Sequence, residues 1–249
     1  MQVLATDKAR SLPTEPRAGA RGATPLASLG HTAALVSVIL AVALTGTLLS
    51  HAGAPMASFG AGSSSARTRI YTQYLPLLLV NGLLVLYVAR LFRPRNVLLL
   101  LIGRSWRKPA DVVVDLLFAS LAAGLIVLFE ALGGPLFAGQ NAALPALLPS
   151  TEAERLTWLL VASAVGFCEE VVYRGYLQTQ LGAFTRSAPL GSLLQALLFG
   201  LAHLEHGAGA ALRIGVYGLV LGALAWRRGS LLPGVVCHIG IDLLSGLAR

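Results

Sequence analysis

Six ionisable side chains lie within apolar stretches of the sequence, where a charged group is costly to bury. Glu169, Glu170 and Arg174 fall in one stretch, His203 in a second, and His238 with Asp242 in a third. At the centre of a bilayer such a side chain costs about 2.5 to 3.5 kcal/mol on insertion scales, so each one needs a partner or a function. Carboxylates and imidazoles are also the side chains that most often act as general acids and bases. These six residues are therefore the candidates for chemistry.

The spacing of these residues predicts which of them meet. Side chains four residues apart on a helix share a face, so Glu170 can reach Arg174 and His238 can reach Asp242. Glu169 is turned about 100° away from Glu170 by the helical period and is predicted to be free of that arginine. We interpret Glu169 as the candidate reactive group. Asp242 either orients the His238 imidazole or faces the same small site.

The composition predicts that membrane helices position these residues. Of the 249 residues, 55% are hydrophobic and only 12% are charged, and the mean hydropathy is +0.73. A soluble domain carries about a quarter charged residues, so a soluble globular protein is excluded. The net charge of +8 does not indicate nucleic-acid binding, because the basic residues are dispersed among the ends of apolar stretches rather than gathered on one polar face.

Seven apolar stretches are long enough, or nearly so, to cross a hydrocarbon core of about 30 Å. We place them at 31–52, 71–92, 111–131, 154–181, 189–204, 211–227 and 230–247. The predicted fold class is all-α, a polytopic transmembrane helical bundle of about seven spans, in a range of about six to eight. We divide the chain into a disordered cytoplasmic tail (1–30), accessory transmembrane helices and loops (31–150), and a helical core that carries the six residues (151–249).

Arginine and lysine are enriched in segments that a seven-span count places on one side of the membrane. These segments are the tail, 93–108, 182–188 and 227–228. Positive residues are enriched in cytoplasmic loops, so the amino terminus is predicted in the cytoplasm and the carboxyl terminus outside. Asp115 and Glu130 lie within or at the ends of the third span and are interpreted as acids at the membrane interface. A composition rich in Ala, Gly, Leu and Arg favours a bacterial gene, and hence the plasma (inner) membrane.

Three separated motifs in the carboxyl-terminal part resemble a known family. They are Glu169-Glu170-Val171-Val172-Tyr173-Arg174 for the pattern Glu-Glu-x-x-x-Arg, Phe199 to His203 for Phe-x-x-x-His, and His238 to Asp242 for His-x-x-x-Asn/Asp. As an ordered set on three apolar helices, they resemble the CPBP intramembrane proteases. This family is also called the Abi or CAAX-protease family and includes the Rce1-type CAAX prenyl endopeptidases. The resemblance covers residues 154–247, and residues 1–150 carry no motif of this kind.

The resemblance implies an intramembrane endopeptidase of the glutamic type. Glu169 would be the general base on a water, His203 would help to hold that water, and His238 with Asp242 would stabilise the oxyanion. Glu170, Arg174 and Phe199 would have structural roles. The prenyl endopeptidases have Asn at the last motif position, whereas Asp242 donates a hydrogen bond only when it is protonated. Asp242 is therefore also interpreted as an acceptor that orients His238, which would leave His238 as the sole oxyanion donor.

The expected partners are the lipid bilayer and a membrane-embedded or lipidated protein substrate, such as one with a carboxyl-terminal sorting segment. A prenylated CAAX substrate is not expected of a bacterial protein, and neither is nucleic acid. The resemblance implies no cofactor. Glu169, His203 and His238 nevertheless form a donor set of the kind that catalytic zinc uses, so a divalent metal stays open as an alternative.

Two other classes of protein use similar residues. One is a non-catalytic self-immunity protein on the same membrane scaffold. The other is a proton-coupled transporter, because buried Glu, His and Asp side chains suit a proton relay. Substitution of Glu169 distinguishes these classes from a protease.

Overall fold

A computed structural model describes residues 24–51, 66–91, 97–133 and 147–247 of the chain. Over these ranges the chain forms the helices α1 (Leu29–His51), α2 (Ala66–Arg90), α3 (Val97–Ile102), α4 (Pro109–Gly133), α5 (Glu152–Thr185), α6 (Ala188–Leu201), α7 (Ala208–Arg228) and α8 (Leu232–Leu247). The described ranges contain helices and connecting turns and no β-sheet. The all-α fold class is confirmed.

Five of these helices are long and apolar enough to cross a membrane, namely α1, α2, α4, α5 and α7. Helices α6 and α8 are apolar but shorter, with 14 and 16 residues, whereas a full crossing takes about 20. Large apolar side chains such as Leu117, Leu128 and Leu160 are exposed on the outside of the bundle, where lipid rather than water would meet them. The structure is therefore a multi-pass membrane helical bundle, as the composition predicted.

Helix α5 changes its winding where its polar residues begin. It is α-helical over Glu152–Glu169, π-helical over Glu170–Leu177 and α-helical again over Gln178–Thr185. Its start is fixed by a capping box, in which Thr151 Oγ1 accepts from the Glu154 N–H and the Glu154 carboxylate accepts from the Thr151 N–H. Every residue of the π-helical segment is buried. π-Helical segments are rare in proteins, but those that occur are often found at functional sites.

The apolar side chains of the π-helical segment form the main core of the bundle. Val171, Val172, Tyr176 and Leu177 are almost completely buried and belong to one cluster with residues of α1, α2 and α3, among them Leu35, Ile39, Val88 and Leu101. The accessory helices thus enclose the part of α5 that follows the two glutamates. They supply the apolar surroundings that hold a buried arginine and carboxylate in place.

The amino-terminal boundary differs from the prediction. Residues 1–23 of the predicted tail lie outside the described residues, but Leu26 and Ala27 donate their backbone N–H groups to Gln180 Oε1 at 2.7 and 3.2 Å. Gln180 is completely buried, and its Nε2 donates in return to Ala27 O at 2.5 Å and to Thr32 Oγ1 at 2.9 Å. The prediction of a disordered tail was therefore wrong for residues 24–30, because a glutamine on α5 supplies the hydrogen-bond partners.

The interpretation of Asp115 as an interfacial acid is also corrected. Asp115 is 3% exposed, and its Oδ1 lies 2.6 Å from Arg228 Nη2 across the contact between α4 and α7. On the same two helices Glu130 Oε2 lies 2.8 Å from Arg213 Nη1, and Tyr217 donates its hydroxyl to the other oxygen of Glu130. Both acids therefore connect α4 to α7 through ion pairs.

Candidate active site

Glu169 and Glu170 lie at the junction between the first α-helical part of α5 and its π-helical segment. Glu170 is completely buried, and the Glu169 side chain is 12% exposed. The two carboxylates approach the two nitrogens of a single imidazole. His238 Nδ1 is 2.9 Å from Glu170 Oε1, and His238 Nε2 is 3.6 Å from Glu169 Oε2. Adjacent residues on α5 thus hold one histidine of α8 between them.

Glycines allow α8 to come this close to α5. A Cβ atom at Gly234 would lie 2.8 Å from Glu170 Oε2, and a Cβ atom at Gly166 would lie 3.0 Å from Ile239 Cγ1. Gly234 is four residues before His238 and therefore shares its face of the helix. Without a side chain at position 234, the Glu170 carboxylate fits against the α8 backbone and reaches the imidazole.

Arg174 lies where the four-residue spacing predicts it, with Nη1 at 3.0 Å from Glu170 Oε1 and with both side chains completely buried. This ion pair does not have the angles of a hydrogen bond, and the three guanidinium nitrogens of Arg174 have no hydrogen-bond partner among the described residues. The other carboxylate oxygen of Glu170, Oε2, has none there either. The Arg174 guanidinium carbon is 4.1 Å from the centre of the Phe199 ring, a cation–π contact. Arg174 is therefore held by one carboxylate and one aromatic face.

Phe199 connects the separate motifs. Its ring centre is 4.8 Å from that of His203, 5.9 Å from that of His238 and 4.9 Å from that of Tyr173. The sequence predicts a structural role for Phe199, and the ring contacts account for it, because this ring separates the two imidazoles and supports the arginine. Tyr173 was not singled out from the sequence, although its position within the first motif could have suggested it.

His203 was predicted inside a span at 189–204, but α6 ends at Leu201. Its backbone N–H bonds to Gly200 O at 3.0 Å instead of continuing the helix. The carbonyl of Phe199, which a continuing helix would pair with that N–H, is bonded by the ring instead, at 2.7 Å from His203 Nδ1. A carbonyl only accepts, so Nδ1 carries the proton and Nε2 is an acceptor in the neutral ring. The side chain therefore closes the helix end and leaves Nε2 for a ligand.

Asp242 lies at the more accessible rim of this group, with its side chain 32% exposed. Its Oδ2 is 3.7 Å from His238 Nε2, which is too far for a hydrogen bond. The carboxylate that orients the His238 ring is therefore that of Glu170. From the sequence, orientation of this ring was one of the two roles predicted for Asp242. The backbone of Asp242 is itself fixed, because Trp158 Nε1 donates to its carbonyl at 3.0 Å.

The metal alternative named Glu169, His203 and His238. Among the residues that the structure describes, no group of three or more His, Cys, Asp or Glu side chains is arranged to hold a metal ion. Glu169 Oε2 lies 3.6 Å from His238 Nε2, and His203, with Nδ1 bonded to a backbone carbonyl, keeps Nε2 as its possible ligand atom.

Together, the fold and the site define a class of protein, a multi-pass helical membrane protein with carboxylates and imidazoles gathered between its helices. Residues 151–244 match the Rce1-like family, described as type II CAAX prenyl endopeptidase Rce1-like. The match covers the part of the chain that carries the three motifs, and the resemblance drawn from them is confirmed. The matched region starts at the cap of α5, ends within α8 and contains all the site residues. At the family level it supports a CAAX-protease-like intramembrane peptidase.

Comparison with curated proteins and with solved structures gives no match to this chain.

Proposed function

We propose that the chain is an intramembrane endopeptidase in which Glu169 activates a water for attack on a peptide bond. The observation that carries the proposal is the placement of His238 between two buried carboxylates, Glu170 on Nδ1 and Glu169 near Nε2. Only Glu170 is also paired with the arginine. Glu169 is therefore the carboxylate that is available to take a proton.

In the proposed step, Glu169 accepts a proton from the water as the water oxygen forms a bond to the carbonyl carbon. The neutral His203 ring, fixed through Nδ1, offers Nε2 as an acceptor that orients the same water. The tetrahedral intermediate collapses as the C–N bond breaks, and protonated Glu169 returns its proton to the leaving nitrogen. A positioned acid and base of this kind contributes about 10²- to 10⁴-fold to a rate.

His238 is the proposed oxyanion donor. Since its Nδ1–H donates to Glu170, Nε2 donates when the ring is an imidazolium. Among the described residues, the nearest acceptors to this nitrogen are Glu169 and Asp242 at 3.6 and 3.7 Å. A donor fixed beforehand in a buried site stabilises the charge that develops in the transition state. Asp242, on the same rim, would tune the charge around Nε2.

We further propose a membrane-embedded or lipidated protein as the substrate, and a location in the inner membrane of a bacterium with the amino terminus in the cytoplasm. The exposed apolar outer surface of the helices supports a substrate that arrives through the bilayer. Single-cysteine labelling from either side of sealed vesicles tests the orientation. In sealed vesicles whose interior corresponds to the cytoplasm, an engineered cysteine near residue 24 should react with a membrane-impermeant reagent only after the vesicles are permeabilised. This result would support a cytoplasmic amino terminus.

No metal is part of the proposed mechanism. Purified protein treated with a strong chelator should therefore keep its cleavage rate. Loss of activity that returns on addition of zinc would replace the glutamate mechanism with a metal-dependent one.

The first experiment is a survey of the terminal peptides of membrane proteins in cells that express native protein, Glu169→Gln or Glu152→Gln. Glu152 is on the same helix, and its side chain is 79% exposed, so its variant is the matched control. We expect a set of new protein ends with native protein and Glu152→Gln, and their loss with Glu169→Gln at equal abundance. Identical ends in all three cultures would contradict the proposal and favour the immunity or transporter class.

A further inference from the structure

Three buried side-chain oxygens outside the candidate active site have no hydrogen-bond partner among the described residues. They are Gln178 Oε1 on α5 and Ser192 Oγ and Gln195 Oε1 on α6. These residues are 8%, 4% and 0% exposed. A buried polar atom without a partner destabilises the fold, so three such atoms in one place indicate a missing ligand.

The hydrogen bonds that these residues do make define what the ligand must offer. Gln178 Nε2 donates to Gly222 O and Gln195 Nε2 donates to Gly218 O, both at 2.9 Å. Both amide orientations are thereby fixed, which leaves two carbonyl oxygens as acceptors and the Ser192 hydroxyl as a group that can donate. A ligand that donates two hydrogen bonds and accepts one would satisfy the two carbonyl oxygens and the hydroxyl, and water is such a ligand.

Glycine at position 222 of α7 lets these polar side chains pack against the α7 backbone. A Cβ atom there would lie 2.5 Å from Gln195 Nε2 and 2.7 Å from both Gln178 Oε1 and Ser192 Oγ. Polar atoms of three residues thus gather around the one position on α7 where a side chain is missing. Buried water in proteins typically bonds to polar groups of this kind that are otherwise unsatisfied.

A metal cation suits this group less well than water. The three oxygens are all neutral, and the charged residue that shares this face of α5 is Arg174, four residues before Gln178. A second positive charge one helical turn from a guanidinium would be repelled rather than bound. The chemistry therefore favours a neutral ligand.

The position of the cluster relates it to the active site. Gln178 is one helical turn from Arg174, and Gln195 is one turn from Phe199, whose ring contacts both Arg174 and the two histidines. Arg174 Nε, Nη1 and Nη2 and Glu170 Oε2 also have no hydrogen-bond partner among the described residues. We propose that Gln178, Ser192 and Gln195 form a water-retention site that holds water inside the bundle, one helical turn from the Arg174 and Phe199 side chains that adjoin the proposed catalytic residues. The hydrolytic role of this water rests on the proposed function, whereas the binding of water does not.

A double-mutant cycle on stability tests the binding of water. Ser192→Ala removes one contact to the shared water, and Gln178→Met removes a second together with the 2.9 Å bond from Gln178 Nε2 to Gly222 O. Ser163→Ala is the matched control, since Ser163 Oγ is exposed and already bonded to Leu159 O at 2.6 Å. We expect each single variant to lower the folding equilibrium constant in detergent about 3- to 10-fold, and the double variant to lose little more than either one. Additive losses of stability in the double variant would overturn the site. Single variants more stable than native protein would also overturn it, because removal of a buried oxygen that has no water partner stabilises the fold.

A second measurement identifies the ligand and separates this proposal from the proposed function. In an experimental density map at about 2 Å resolution, we expect a peak within hydrogen-bond distance of all three oxygens in native protein that is lost in Gly222→Ala. Direct pairing of the three side chains with no peak overturns the site, whatever the protein's activity. If the protein cleaves peptides, Ser192→Ala should lower kcat several-fold with KM unchanged, and an unchanged kcat overturns the hydrolytic role alone.

Discussion

Two helix contacts in this bundle bury carboxylates, and they do so in different ways. Between α4 and α7, each acid has its own arginine, Asp115 with Arg228 and Glu130 with Arg213. Between α5 and α8, three acids, Glu169, Glu170 and Asp242, surround one imidazole, and one arginine is nearby. Matched pairs connect helices, whereas an excess of carboxylates around a histidine leaves a group able to exchange protons.

The largest effects are expected from breaking the buried ion pair between Glu170 and Arg174, which adjoins the group of acids around His238. Glu170→Met leaves a completely buried guanidinium without its carboxylate and frees Nδ1 of His238. We expect a loss of about 3 to 5 kcal/mol of stability, as for other broken buried pairs, together with loss of cleavage. Thermal unfolding in detergent and a peptide-cleavage assay measure the two effects.

The double variant Glu170→Met/Arg174→Met shows whether the pair serves stability or chemistry. Replacing both charges with apolar groups of similar size is often neutral or stabilising, so we expect the fold to recover and cleavage to stay lost. Recovery of cleavage with the fold would show that Glu170 does not position His238.

A smaller effect is expected at the α4–α7 contact. Asp115 accepts from Arg228 Nη2 and Nε at 2.6 and 2.9 Å and from Trp106 Nε1 at 2.9 Å. Asp115→Asn removes the charge but keeps the shape, and we expect it to cost about 2 kcal/mol, as for hydrogen bonds to a charged group. Cleavage per folded molecule should match native protein. A large drop in that specific activity would mean that this pair also belongs to the site.

The presence and approximate positions of the apolar helices could be predicted from the sequence because hydropathy is a local property. The end of the tail and the pairing of Asp115 could not, because each depends on a partner far away in the chain, Gln180 for Leu26 and Arg228 for Asp115. Charge alone shows that a buried acid needs a partner, and only the packing shows which one it has.

The same distinction holds within the site. The contact between Glu170 and Arg174 follows from their spacing on one helix. The bond between Glu170 and His238 joins two helices, and its one local signal is Gly234, which leaves room for the carboxylate. The position of His203 beyond the end of α6 depends on a bond from its own ring to Phe199 O, which hydropathy does not reveal.

Substitution of Asp242 tests whether the third carboxylate near His238 is needed for cleavage. Its carboxylate is 3.7 Å from His238 Nε2 and 32% exposed, so it neither holds the ring nor is deeply buried. We expect Asp242→Asn to keep cleavage within about tenfold of native, or about 1.4 kcal/mol in activation free energy. Steady-state kinetics on a defined peptide measure this effect. A loss as large as that of Glu169→Gln would place Asp242 among the groups that contact the reacting atoms.

The smallest effect is expected at His206, an imidazole in the turn between α6 and α7 whose side chain is 11% exposed. Burial, with a further contribution from His203, lowers the pKa of His206 to about 4. Glu205 Oε1 lies 3.7 Å from His206 Nε2, so unlike His238 this imidazole has no hydrogen-bonded carboxylate in the part of the chain that the structure describes. In the unfolded chain an ordinary histidine has a pKa of about 6.5. Between these two values the unfolded state binds the extra proton, and the native state loses stability as the pH falls.

The stability that neutral His206 contributes is therefore complete above about pH 6.5 and is lost progressively toward pH 4. We expect His206→Asn to flatten the decline of Tm over this interval, and His31→Asn, at an exposed position on α1, to leave the decline unchanged. Unfolding scans in detergent at several pH values measure both variants. Parallel Tm curves for native protein and His206→Asn would show that this imidazole is compensated in the folded state, and the contrast with His238 would then rest on cleavage alone.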